Sequence, residues 1–339
     1  MATIKDVAAR AKVSVATVSH VVNGTRKVAP ATIQRVRQAM KELDYHPNAV
    51  AQSLRTQKTN VIGAVISDIT NPFFATLIRG AEDAAIEAGY SLIVCNSDES
   101  LEKEDRYVRL LQRRQIDGLL ISPVGDGSHS VVHELPKWKI PFVFVDRRVD
   151  DIDADAVLSE NVNGAYQATK HLIDRGHRRI GIILGIRGAT TTEERLEGYR
   201  KALEEAEIAT PNELVICGSY RTEGGRRATA SLLGLNALPT AIFSTNNLMT
   251  LGVLQELLER EELSVNGISL ISFDDLDLAK LGLFSLTVVI QQPYKMGREA
   301  TELLLDRMEH SKEAPARVIR VPVELHIRRS VKKLQSCVR

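Results

Sequence analysis

Cysteine is scarce: Cys95, Cys217 and Cys337 are three thiols in 339 residues, far apart and without metal-ligand spacing. They exclude a disulfide framework and point to reduced cysteines in a cytoplasm. No apolar run reaches about 18 residues, so no membrane span is expected, and the polar, cationic N-terminus lacks the apolar stretch of a secretory signal. Signature loops are missing as well. The chain has no G-x-G-x-x-G, no G-x-x-x-x-G-K-S/T and no H-E-x-x-H, and Gly181-Ile-Ile-Leu-Gly-Ile-Arg-Gly188 has the wrong spacing for a dinucleotide loop. No cofactor, no metal and no enzyme activity are expected. Asp146, Asp274 and Asp275 would be the carboxylates for the competing idea, glycoside hydrolysis.

What is present is unevenly charged. Residues 1–60 carry ten Lys and Arg against three Asp and Glu, a net of +7, while the whole chain is only +1. A basic segment on a slightly acidic body marks a polyanion-binding head. With 44% hydrophobic residues the remainder can bury a large core, in two or three domains overall.

Inside that basic segment, Ile4, Val7, Ala8 and Ala11 recur at three- and four-residue steps and line one helix face. Thr3 can cap this helix, with Asp6 three residues on. Ala11-Lys-Val13 makes a turn, Ser14 is a second N-cap, and Val15, Val18, Val21 and Val22 are expected to face back onto the first helix. Ala16, Thr17, Ser19 and His20 then point outward. Small, hydrogen-bonding side chains suit a helix pressed into the DNA major groove. A helix-turn-helix is expected.

A third helix opens at Pro30 and repeats Ile33, Val36, Met40 and Leu43 on one face, ending at Asp44-Tyr-His-Pro47. Asn48 to Thr56 then offers about two helical turns, too few to be stable alone in water. The segment is either a flexible linker or a helix that forms only on a partner. Leu54, apolar on a basic linker, would be explained by insertion between base steps of the minor groove.

From Val61 the pattern becomes β–α alternation. Apolar runs at 61–66, 91–95, 118–121, 142–145, 180–184, 241–243 and 269–271 read as buried parallel strands. Helical periods lie at 74–88, 102–114, 162–175, 195–206, 224–233 and 248–260. There are too many units for one sheet, so two doubly wound α/β lobes are expected. Switch points near Ser159-Glu-Asn161 and Val289-Ile-Gln291, and a strand pair around Val318 to Ile327, would carry the chain between them. Ligands of such folds bind at the carboxyl ends of the strands, here between the lobes.

Several motifs occur in order along nearly the whole chain: Thr3-Ile-Lys-Asp-Val-Ala, Val13-Ser-Val-Ala-Thr-Val-Ser19, Tyr45-His-Pro-Asn-Ala-Val-Ala51, Asn71-Pro-Phe-Phe74, Arg114-Gln-Ile-Asp-Gly118, Arg175-Gly-His177, Glu194-Arg-Leu-Glu-Gly-Tyr199 and Phe273-Asp-Asp275. Each is weak alone, but their order and spacing are specific. The chain resembles the lactose-repressor family of bacterial transcription regulators. That resemblance implies a cytoplasmic homodimer, nucleoid-associated on double-stranded operator DNA, with a small-molecule effector in a core that resembles periplasmic sugar-binding proteins. It also implies a hinge helix that folds on the operator and inserts Leu54. The implied division is a helix-turn-helix domain at 1–46, a hinge at 47–60, an N-terminal lobe at 61–160 with 291–320, a C-terminal lobe at 161–290 with 321–330, and a tail at 331–339. The basic tail has no leucine heptads to build a helical bundle, so a dimer formed by the core lobes is expected.

On this basis the DNA contacts are Thr3, Lys5, Ser14, Ala16, Thr17, Ser19, His20, Asn23 and Arg26, with Asn48, Ala51, Leu54 and Arg55 from the hinge. For the effector, Asp68 and Asn71-Pro-Phe-Phe74 follow the first core strand; Phe73 and Phe74 are candidate rings, although Phe74 would serve equally as a core aromatic. Asp146 ends a strand, where a carboxylate can accept two hydroxyl hydrogen bonds. Arg195 is read at a helix start, an awkward place for a cation that suggests an anionic or hydroxyl-rich partner. By resemblance, Asp146, Arg195, Asn246 and Asp274 hold the effector, and Gln291 or Gln292 joins them. Asn247 departs from the family pattern, which has aspartate there, and is expected to alter interdomain bonding. The segment 185–195 is rich in Thr and lacks a second cleft-facing aromatic, and three acids with one Arg favour a neutral sugar. Arg187, if inward, would favour a sugar acid or phosphate. A purine or a phosphocarrier protein as corepressor is the alternative.

Overall fold

A computed structural model describes the protein apart from residues 1, 24–25, 47–57, 126–130, 261–266, 277–284, 311–314 and 335–339. The chain forms two compact units, Met1–Thr59 and Asn60–Arg339.

In the first unit, α1 (Ile4–Ala11) starts at a capping box: Asp6 N–H donates to Thr3 Oγ1 at 3.4 Å, and Thr3 N–H donates to Asp6 Oδ2 at 2.8 Å. Lys12, with φ 52°, ends the helix in the left-handed region and turns the chain. Ser14 Oγ accepts from Thr17 N at 3.0 Å and opens α2 (Val15–Asn23). Pro30 supplies the first turn of α3 (Pro30–Glu42). Val7, Ala8, Ala11, Val18, Val36 and Ala39 form the buried core. Fully burying a valine is worth about 1.5–3 kcal/mol, so a core this small depends on every member. One expectation fails here. Val15 is 41% exposed, because it sits in the first turn of α2 and the face reaches the core only from Val18 onward.

The second unit contains two six-stranded sheets. The first is built from β1 (Val61–Ile66), β2 (Ser91–Asn96), β3 (Gly118–Ile121), β4 (Phe142–Val145), β5 (Ala156–Ser159) and β11 (Val318–Val321), in the order β11-β5-β4-β3-β1-β2, all parallel. The second uses β6 (Ile180–Leu184), β7 (Val215–Cys217), β8 (Ala241–Ser244), β9 (Ser269–Phe273), β10 (Thr287–Ile290) and β12 (Glu324–His326), in the order β12-β10-β9-β8-β6-β7. Only β12 runs antiparallel to its neighbour. Central strands are buried on both sides, which is why they read as continuous apolar runs.

Helices α4 (Pro72–Glu87), α5 (Leu101–Arg113) and α10 (Pro293–Glu309) cover the first sheet. Helices α6 (Asn161–Asp174), α7 (Thr190–Glu205), α8 (Thr222–Leu233) and α9 (Asn247–Glu259) cover the second. α4 and α10 touch backbone to backbone: a Cβ on Gly80 would lie 2.1 Å from the Tyr294 carbonyl oxygen, and one on Gly297 would lie 1.9 Å from that of Leu77. The chain passes between lobes three times, at Ser159–Asn161, at Ile290–Pro293 and at Val321–Glu324.

Strands β5, β7 and β10 and helix α10 are absent from the sequence expectation. α7 begins at Thr190, not at Arg195. Arg195 therefore lies in the second turn, where the helix dipole has already faded, and the argument from an awkward cation does not hold for it.

Candidate functional site

On the first unit, Thr3, Lys5, Ser14, Ala16 and Arg26 are exposed, and Thr17, Ser19 and His20 are half-buried along α2. Ser14 Oγ and Thr17 Oγ1 are 2.9 Å apart, so the two hydroxyls hold each other while Ser14 caps the helix. Asn23 ends α2, and Asn48, Ala51, Leu54 and Arg55 lie outside the described residues. Val15, which the sequence turned inward, adds an exposed methyl pair beside Ala16.

On the second unit, the carboxyl ends of both sheets open onto one narrow cleft, the place where ligands of such folds bind. Asp68, Phe73, Phe74, Asp146, Arg195, Asn246, Asp274 and Gln291 all line it. So do Asn71, Glu99, Arg147, Thr191 and Tyr220, of which the sequence singled out only Asn71, within its motif. Thr191 comes from the first turn of α7, while Glu99, Arg147 and Tyr220 arrive on loops without periodicity, where their one legible signal is position shortly past a strand.

The two lobes contribute matching parts. Asp146 follows the fourth strand of the first sheet and Asp274 the fourth strand of the second, and both have a left-handed backbone, φ 67° and 68°. Non-glycine residues held there are strained and cluster at ligand sites. Burial pushes the Asp146 carboxyl up, against the pull of Arg147 and Arg195. Burial likewise pushes Asp274 up to about 6, although Arg195 and a 2.8 Å hydrogen bond from Gln291 Nε2 oppose it. Among the described residues Asp146 accepts no hydrogen bond; Arg147 Nε, itself buried and unpartnered, stands 3.7 Å from its Oδ2.

The cations are largely engaged. Arg195 donates from Nε to Asn161 Oδ1 at 2.9 Å and from Nη1 to the Thr245 carbonyl at 2.6 Å, and its guanidinium lies 3.8 Å over the Phe273 ring. Arg147 binds Glu99 through two 2.8 Å bonds; burial opposes its charge, but Glu99 more than offsets this and raises its pKa. The same guanidinium sits 4.7 Å over the ring of Tyr220, whose hydroxyl is within hydrogen-bond reach of Thr191 and Thr192. Gly185 presses on that ring, since a Cβ there would lie 1.9 Å from Tyr220 Cζ. Tyr220 is thus the second cleft aromatic missing from 185–195, supplied instead by the loop after β7. Four carboxylates and two guanidiniums replace the three acids and one Arg counted in sequence. Arg187 is exposed, outside the cleft lining, with its Nε 3.4 Å from Cys217 Sγ.

Other contacts fasten the lobes. Arg221, after β7, reaches Asp68 at 2.8 Å and Asp98 at 2.6 Å in the first lobe. Asn247 Nδ2 donates to Asn71 Oδ1 at 2.9 Å, so the family's departure at 247 does sit in interlobe bonding. Asn71 Oδ1 also accepts from Phe73 N as the N-cap of α4, which fixes it as an acceptor.

A helix-turn-helix unit with a cleft between paired parallel sheets defines a DNA-binding regulator with an effector-binding core. Residues 3–48 match the family model "Bacterial regulatory proteins, lacI family", and residues 59–329 match "Periplasmic binding proteins and sugar binding domain of LacI family". The chain belongs to the LacI family. It is 38% identical over 335 residues to the HTH-type transcriptional repressor PurR of Photobacterium profundum, covering 98% of this chain and 100% of that one. The lac repressor dimer bound to operator and the anti-inducer ONPF superposes with a TM-score of 0.86 at 26% identity, over 98% of this chain and 99% of that one. A transcriptional regulator CelR–cellobiose complex gives 0.74 at 29% identity, over 97% and 100%. The protein is a transcriptional repressor, not an enzyme, and its operator affinity answers to a small effector. No helix among the described residues is long and apolar enough to cross a membrane.

Proposed function

We propose that residues 1–46 read a pseudo-palindromic operator, with α2 in the major groove of each half-site, and that residues 47–60 form a hinge whose Leu54 enters the minor groove. Thr17, Ser19, His20, Ala16 and Asn23 read bases; Thr3, Lys5, Ser14 and Arg26 hold phosphates; Asn48, Ala51 and Arg55 follow the hinge into the groove. The remaining chain forms the two effector lobes, 61–160 with 291–320 and 161–290 with 321–330, through which the protein dimerises. It works in the cytoplasm, at the nucleoid when on DNA.

The effector is a neutral sugar or sugar derivative, held by Asp68, Asp146, Arg195, Asn246, Asp274 and Gln291 beside Phe73 and Phe74. The observation that carries this is the Asp146 carboxylate, which accepts no hydrogen bond among the described residues and has Arg147 Nε 3.7 Å away, in a cleft where acids outnumber guanidiniums, an arrangement that favours hydroxyl donors over an anion. A nucleobase is disfavoured because the Tyr220 ring already carries the Arg147 guanidinium 4.7 Å from its centroid and is pressed by Gly185. The cellobiose in the CelR complex accords with this reading. A thermal-shift screen of pentoses, hexoses, disaccharides, sugar acids and nucleobases tests it, since a cleft ligand stabilises by mass action. A neutral sugar is expected to raise the melting temperature; a rise with a nucleobase or a sugar acid alone would overturn the assignment. If no small molecule acts, capture of a phosphocarrier protein from dialysed lysate would favour the alternative.

A further inference from the structure

Two of the charged groups that line the cleft, Arg195 and Asp274, are the ends of one hydrogen-bonded chain. Arg195 Nε donates to Asn161 Oδ1 at 2.9 Å, and Asn161 Nδ2 donates to Glu194 Oε2 at 2.9 Å. Glu194 Oε1 accepts from Arg320 Nη2 at 2.6 Å. From the same guanidinium, Arg320 Nη1 donates to the Ser159 carbonyl at 3.3 Å. Ser159 Oγ donates to Gln291 Oε1 at 2.5 Å, and Gln291 Nε2 donates to Asp274 Oδ2 at 2.8 Å. One half-exposed arginine therefore anchors two arms that both finish on cleft residues, the buried Arg195 and the half-buried Asp274.

The members of the chain come from every place where the polypeptide crosses between lobes. Ser159 and Asn161 flank the first crossing, Gln291 lies in the second, and Arg320 is in β11, just before the third. Glu194 and Arg195 are neighbours on α7 in the second lobe. A rotation of one lobe against the other must stretch or turn the Arg320–Glu194 and Ser159–Gln291 bonds, because Arg320 and Ser159 belong to the first sheet while Glu194 is on α7 and Gln291 follows β10. We propose that Arg320 is a positioning residue, with Glu194 as its partner, that sets the spacing of Arg195 and Asp274 in the effector cleft and couples that spacing to the lobe crossings. Arg320 itself is absent from the cleft lining.

The inference rests on the effector reading for its biological meaning but is testable without the effector. Asp274 is faced by Arg195 from α7, by Asp146 from the end of β4 and by Gln291 from the second crossing. Losing either arm removes an interaction that favours its carboxylate, so both losses act in the same direction. The experiment is a carbon-13 titration of aspartate carboxyl carbons in the full-length protein, with Asp274 assigned from its loss in Asp274→Asn. Arg320→Met and Glu194→Met should each move the midpoint up from about 6, by about half a pH unit, less than the loss of a nearby opposite charge outright, because Arg195 keeps its charge and its bond to the Thr245 carbonyl and only its position changes. The lost Glu194 charge pulls the other way, so a rise in Glu194→Met reports Arg195 alone. Arg320→Lys should recover part of the shift. Unmoved or lowered midpoints in folded Arg320→Met and Glu194→Met would overturn the proposal, leaving these residues a structural role only. Should Arg320→Met fail to fold, Glu194→Met still reads the Arg195 arm. A wild-type protein that ignores every sugar would sink the effector reading and leave this titration result standing.

Discussion

Asp274→Asn should make the core more stable at neutral pH while removing the response to effector. The ordinary carboxyl value of 3.8 is pushed up to about 6 in the folded protein. A raised folded-state pKa means that the native state binds the proton more tightly than the unfolded chain does. The stability it contributes is full below about 3.8 and is lost as pH rises through about 6. Two pKa units correspond to about 3 kcal/mol; because Asp274 keeps some contact with cleft solvent, about 2 kcal/mol is the fairer expectation at pH 7.5. Asparagine carries no such cost and keeps an oxygen for the Gln291 amide. Urea unfolding followed by the fluorescence of Trp138, the single tryptophan and a residue of the second unit, reads the difference. The variant should gain stability at pH 7.5 and be nearly level with wild type at pH 4. A gain of equal size at both pH values, or a loss at neutral pH, would refute the burial of a reluctant carboxylate.

Three further outcomes are expected. Asn247→Asp would set an acceptor against Asn71 Oδ1, which Phe73 N already fixes as an acceptor; the closed core should lose about 1–3 kcal/mol, read as a lower urea midpoint at pH 7.5 that recovers as the new carboxyl is protonated. Arg221→Ala removes both bridges to Asp68 and Asp98 and should enlarge the core's radius of gyration in small-angle scattering; an unchanged radius would show that those bridges do not hold the lobes together. Thr17→Ala should change base preference by about 1–3 kcal/mol at one position, whereas Lys5→Ala should weaken operator and random duplex alike in a binding titration; equal losses for Thr17→Ala would remove α2 from the groove.

Legibility in the sequence followed burial. β1, β3, β4 and β6 were readable to the residue because a central parallel strand is apolar throughout. β7 is a three-residue, half-exposed edge strand and leaves almost no pattern. β5 follows the acid-rich Asp150-Asp-Ile-Asp-Ala-Asp155, and the polar context hides four buried residues. α10 did carry a pattern, with Met296, Ala300, Leu303 and Leu304 buried on one face, but it comes after the alternation has been used up by two lobes. In the cleft, Asp68, Asp146, Asn246 and Asp274 were found because they follow strands directly. Glu99, Arg147 and Tyr220 were not, since their roles depend on partners in distant loops: Arg147 with Glu99, and Tyr220 with Gly185. Val15 was misplaced because helical periodicity takes no account of where the neighbouring helix stops.

The three crossings between the lobes have a mechanical consequence. A single tether would let two bodies separate, slide and spin, whereas three passes of backbone side by side work as a door hinge and leave mainly a swing. Effectors that fill the cleft differently can then deliver only one kind of message, the angle at which the door comes to rest. Differences in wedge shape, more than in affinity, would decide whether a ligand releases the operator or clamps it.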